Sequence, residues 1–104
     1  MGLAHQSCQP EPSALSPEEA AKLHREVRDW ALKEKSLARE FTFDDFEEAM
    51  DFVNDVGCLA GEEDHHPEIH ISYNKVKLEL TTHKVEGLSK NDFIMAAKID
   101  QLIA

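Results

Sequence analysis

The residues able to do chemistry gather between positions 64 and 92, a stretch that opens with Asp64-His65-His66-Pro67, reaches His83 and closes on Asp92. Histidine is the only side chain whose ordinary pKa lies near neutrality, so imidazoles bracketed by carboxylates form a proton-transfer set. No Ser or Cys is paired with these histidines as a nucleophile, and no glycine-rich loop is placed to cradle phosphate. The expected chemistry is acid–base catalysis without a covalent intermediate. A metal site competes with that reading, because His65, His66, His70 and His83 carry enough nitrogens for zinc. Adjacent residues of an extended segment point to opposite sides, however, so His65 and His66 do not readily share one ion, and no metal is expected.

Taken singly, the other candidates have plainer roles. His5 and His24 are expected in solvent, and His70 on the polar side of a strand. Cys58 falls among core positions of a helix and reads as a buried thiol. With Cys8 fifty residues away and no C-x-x-C spacing, both thiols are expected to be free in a reducing compartment.

A length of 104 residues and 11.8 kDa holds one domain, small enough for oligomerisation to help it. Acidic residues outnumber Lys plus Arg by 21 to 11, for a formal charge of −10. That field repels phosphate backbones, so direct binding to nucleic acid is not expected. No run approaches the roughly 18 apolar residues that would span a membrane, and the amino end lacks a secretory pattern. A cytoplasmic protein is expected, small enough to diffuse into the nucleus as well.

Several elements must position the histidines. Residues 1–14 mix Gly, Pro, Ser, Gln and Glu without periodicity and are expected as a disordered tail, leaving 15–104 as the domain. Ser16-Pro17-Glu18-Glu19 combines a Ser cap, Pro at the first helical position and Glu three residues after the cap. Ala20, Leu23, Val27 and Trp30 then follow at helical spacing. Alternation at Leu37, Arg39, Phe41 and Phe43 predicts a strand, separated from a short earlier one by Lys33-Glu34-Lys35-Ser36. A second helix is expected from about Asp44, capped by Thr42 or Asp44, with Phe46, Ala49, Met50, Val53, Val56 and Ala60 inward and Gly61 at its end.

Residues 68–83 alternate as a hairpin. A turn at Asn74-Lys75 would set Tyr73 against Val76, Ile71 against Leu78 and Ile69 against Leu80, and would carry His66 opposite His83. The last helix has Leu88, a Ser89 cap and Asp92 at the third position, a variant capping box. Asp92, Met95, Ala96, Ile99, Leu102 and Ile103 share a face, so Asp92 heads the inward stripe.

The run Asp64-His65-His66-Pro67-Glu68, then Tyr73-Asn74-Lys75-Val76, Thr81-Thr82-His83 and Gly87-Leu88-Ser89 to Asp92 resembles the pterin-4a-carbinolamine dehydratases, from about Ser16 onward. The resemblance implies dehydration of a 4a-hydroxytetrahydropterin to the quinonoid dihydropterin, which recycles the cofactor of aromatic amino acid hydroxylases. It implies His65, His66, His83 and Asp92 as catalytic residues, with Asp64, Thr81, Thr82 and Lys84 joining the histidines around the pterin. His65 and His83 would be general acids, His66 a substrate binder with base character, and Asp92 would orient or charge-stabilise one of them. No cofactor or metal is implied.

The fold implied is α+β, three helices on one face of a four-stranded antiparallel sheet in the order α-β-β-α-β-β-α, assembled as a homodimer or homotetramer. Some animal members of that family also serve as dimerisation cofactors of a homeodomain transcription factor. Two positions depart from the family pattern. Gly61 stands where many members carry Glu, with Glu62 or Glu63 as the nearby replacement, and Ile69 stands where many carry an aromatic.

Overall fold

The computed structural model describes residues 2–103. Its order is α1 (Pro17–His24), β1 (Ala31–Leu32), β2 (Leu37–Thr42), α2 (Phe46–Glu63), β3 (Glu68–Ser72), β4 (Lys75–Leu80) and α3 (Lys90–Leu102). The antiparallel sheet runs β1-β2-β4-β3, with the three helices on one face. The α+β architecture and element order are those expected. Among the described residues, no helix is long and apolar enough to cross a membrane.

Both predicted capping boxes form. Ser16 Oγ accepts from Glu19 N at 3.1 Å while Ser16 N donates to Glu19 Oε1 at 2.9 Å. At α3 the Ser89 amide donates to Asp92 Oδ2 at 3.0 Å. α1 stops at His24, short of the expected stripe. Val27 and Trp30 are nonetheless buried, in turns that follow the helix. His24, expected in solvent, meets the Trp30 carbonyl through Nε2 at 2.6 Å and helps to close that turn.

Trp30, Phe41, Phe52 and Phe43 form an aromatic run in that order, with successive ring centroids 6.0, 4.8 and 5.1 Å apart. Leu37, Val76, Leu78 and Leu80 of the sheet join Val56, Phe93, Met95 and Ile99 of the helices in the same core. α3 is buried on nearly every side from Asn91 to Ala97 rather than on one stripe, whereas Leu102 and Ile103 are exposed.

α2 differs from expectation at both ends and on its surface. Its cap is Asp45, which accepts from Glu48 N at 2.8 Å, and Phe46 and Cys58 are exposed. The helix passes through Gly61, which faces open space, and ends where Asp64 adopts a left-handed φ of 53°. Gly61 therefore costs helix propensity without ending the helix. Asp64 takes the capping conformation usually left to glycine, as short polar residues can.

The hairpin register also differs. Ser72 pairs with Lys75, Ile71 with Val76 and Ile69 with Leu78, so the turn is Tyr73-Asn74, with Tyr73 at φ 52°. Asn74 fixes this by two bonds to β2's end: its Nδ2 donates to the Phe43 carbonyl at 2.8 Å and its own carbonyl accepts from Phe43 N at 2.8 Å. A shift of two residues keeps every side chain on its face, which is why Ile69 still packs on the core. It does not keep His66 opposite His83, because the ladder ends at Glu68–Glu79 and His83 lies in a short 3-10 turn, His83–Val85.

The expected tail is not free either. Residues 3–5 form a 3-10 turn with Leu3 buried in the core, and the segment that follows lies against α3.

Candidate active site

The left-handed Asp64 at the end of α2 turns the chain so that His65 follows at once beside the start of α3. There the ring Nε2 of His65 lies 2.6 Å from Asp92 Oδ1. Asp92 is fully buried, and its other oxygen, Oδ2, accepts from the Thr82 hydroxyl at 2.7 Å and from the Ser89 amide at 3.0 Å. With the Thr82 proton given to Asp92, the Ser89 hydroxyl 2.7 Å away donates to Thr82. The carboxylate is thus an acceptor on both oxygens, and His65 Nε2 is its donor. That commits one ring nitrogen and leaves Nδ1 as the one able to exchange a proton.

A cavity of about 520 Å³ opens over this pair, within the size range of small-molecule sites. Asp64, His65, His66, Thr81, Thr82, His83 and Lys84 all line it. Asp92 does not, being sealed beneath His65. The structure therefore gathers the three histidines around one cavity, although His66 and His83 reach it from the α2–β3 connection and the turn after β4 rather than as paired strand residues.

Two predicted residues are engaged in ways the sequence does not indicate. Thr82 is buried and its hydroxyl serves Asp92, so it positions the carboxylate. Lys84 Nζ donates to the Pro10 carbonyl at 3.0 Å and lies 3.7 Å from Glu11. Of Glu62 and Glu63, it is Glu63 that reaches the cavity, with Oε1 accepting from Cys8 N at 2.9 Å.

Sequence reasoning missed five lining residues altogether: Cys8, Gln9, Pro10 and Pro12, and Asn91, which anchors them through Gln9. Burial and the neighbouring charge of Glu63 push the Cys8 thiol up to about 12, so it is no nucleophile at neutral pH.

The family described as Pterin 4 alpha carbinolamine dehydratase matches residues 13–102. The chain belongs to that family. A curated relative from Nitrosococcus oceani, provisionally named a pterin-4-alpha-carbinolamine dehydratase, is 46% identical over 94% of this chain and 90% of its own length. Another from Methylococcus capsulatus is 48% identical over 93% of this chain and 87% of its own. A solved structure from Brucella melitensis, described as a transcriptional coactivator/pterin dehydratase, superposes with a TM-score of 0.84 at 30% identity, over 88% of this chain and all of that one.

Proposed function

We propose that this chain is a hydro-lyase that dehydrates 4a-hydroxytetrahydropterin to quinonoid dihydropterin in tetrahydrobiopterin recycling. The observation that carries the reading is the His65–Asp92 pair, 2.6 Å apart, at a cavity also lined by His66 and His83. Loss of water across a carbon–nitrogen bond needs two proton transfers. An acid protonates the hydroxyl on the ring carbon so that the carbon–oxygen bond breaks and water leaves. A base takes the proton of the adjacent ring N–H, whose electron pair becomes the new carbon–nitrogen double bond.

His65, held by Asp92, and His83 act as general acids, and His66 binds the substrate and takes on base character. Asp64, Thr81 and Lys84 complete the pterin surroundings, and Thr82 steadies Asp92. The step consumes one acid proton and returns one to a base, so the site resets by exchange with water, and no cofactor enters it.

The folded chain works as a homodimer or homotetramer in the cytoplasm, with the nucleus accessible. Supporting assembly, β3 is an edge strand that carries exposed Ile71 and leads into exposed Tyr73, with Phe46 also exposed on the surface. A second reading, as a protein-binding coactivator, is favoured by one observation, the description of the Brucella structure.

The deciding experiment follows dehydration of chemically generated 4a-hydroxytetrahydropterin. Wild-type protein accelerates it, and His83→Ala, an exposed substitution that leaves the core untouched, removes most of the acceleration. Full activity of His83→Ala would overturn the assignment of that acid. A wild-type chain without activity would overturn the enzyme reading and leave the coactivator one.

A further inference from the structure

The segment from Ser7 to Pro12 lies outside the residues matched by the family, yet it supplies Cys8, Gln9, Pro10 and Pro12 to the cavity that holds the histidines. It is gripped by side chains from three elements. Asn91, on the first turn of α3, turns its whole amide to it: Asn91 Oδ1 accepts from Gln9 N at 2.9 Å and Asn91 Nδ2 donates to the Gln9 carbonyl at 2.8 Å. The pattern is that of a β-bridge made by one side chain. Glu63 at the end of α2 accepts from Cys8 N at 2.9 Å, and Lys84 donates to the Pro10 carbonyl at 3.0 Å.

Asn91 is 4% exposed, and both ends of its amide are spent on this one residue. A buried amide so fully committed holds geometry rather than merely filling space. Two prolines, each with a fixed φ, stiffen the segment where it meets the cavity.

We propose that residues 7–12 form a strap latched by Asn91, and that the strap is a wall of the substrate pocket that sets how tightly the pterin is held. Gln9, Pro10 and Pro12 are specificity-determining residues, and Asn91 is a positioning residue acting through them. The proposal rests on the dehydratase reading and extends it to a segment that carries no catalytic group.

Two substitutions in the full-length chain break the latch from opposite sides. Gln9→Pro removes the backbone N–H that Asn91 accepts, and Asn91→Ala removes the whole amide. Each raises KM for 4a-hydroxytetrahydropterin about fivefold, as loss of a hydrogen bond of ordinary strength would, while kcat stays within about twofold. Each weakens binding of 6-methyl-7,8-dihydropterin, read by calorimetry, by a similar factor. Because both act through one latch, the double variant is no worse than Asn91→Ala alone.

Unchanged KM and binding in an active Gln9→Pro chain would overturn the strap's role while leaving the dehydratase reading intact, and so would fully additive effects. If Asn91→Ala fails to fold, Gln9→Pro decides by itself. A wild-type chain that neither binds nor dehydrates the pterin would overturn both readings together.

Discussion

His65 Nε2 and Asp92 Oδ1 sit 2.6 Å apart although 27 residues separate them in the chain. One partner ends the turn out of α2 and the other caps α3, so a single contact ties two helix termini together across the β3–β4 hairpin. The same carboxylate closes the α3 capping box through Ser89 N, which makes Asp92 a structural and a chemical residue at once.

Asp92→Asn should expose that double role. An amide at this position accepts on one atom only, so His65 loses its fixed tautomer or Ser89 and Thr82 lose their acceptor. Dehydration should slow by about 100-fold, the low end of what positioned acid–base groups contribute, with a stability loss of about 1–2 kcal/mol from the damaged cap. Single-turnover kinetics and urea denaturation measure the two effects separately. Near-normal turnover would show that His65 works without its carboxylate.

On the far end of α3, Asp100 Oδ1 accepts from Trp30 Nε1 at 2.8 Å and from Arg39 Nη1 at 2.7 Å. Burial raises the Asp100 pKa, with these two donors opposing the rise. Asp100→Ala strands a buried indole N–H and leaves Arg39 only the looser Asp29 contact at 3.7 Å. The expected cost is about 2–3 kcal/mol, readable as a lower urea midpoint with unchanged slope. A midpoint equal to wild type would mean that water replaces the carboxylate.

Glu79 gives a pH signature. The Ser36 hydroxyl, 2.7 Å from Glu79 Oε2, holds its carboxyl below the ordinary value of 4.5, with Lys33 and Lys77 adding to the effect. A carboxyl lowered by folding contributes stability that is present above its unfolded pKa and lost as pH falls through the folded one. The stability gap between wild type and Ser36→Ala should therefore be constant from pH 6 to 8 and shrink below about pH 4.5. A gap that widens in acid would contradict this sign.

The two cysteines should react very differently. Cys58 is exposed on α2, while Cys8 is half-buried in the cavity with its thiol pushed up to about 12. Iodoacetamide at pH 8 should add one label, at Cys58, as peptide mass spectrometry would show. Release of the strap by Asn91→Ala should bring Cys8 into reaction. Equal labelling of both thiols in the wild-type chain would mean that Cys8 is not held as described.

What could be read from the sequence was local. The Ser16–Glu19 and Ser89–Asp92 boxes are written within four residues each, and strand alternation survives a shift of two. The histidines and Asp92 could be named because their spacing carries a family resemblance. What escaped depends on partners far along the chain. Asn74 selects the hairpin turn by bonding to Phe43, and Gln9 is held by a residue 82 positions away. No periodicity marks residues 7–12, because their order comes from side chains of α2, α3 and the turn after β4 rather than from their own pattern.

The strap also sets a sequence in time. Residues 7–12 precede every described strand and long helix in chain order, whereas Asn91 and Asp92 belong to α3, the last of the described elements. A nascent chain that has not yet exposed α3 lacks the α3 side chains of the core on which its sheet packs, since domains fold as units. It has neither a carboxylate for His65 nor an anchor for Gln9 until α3 is out. The His65–Asp92 pair and the latched strap therefore form together, when α3 docks.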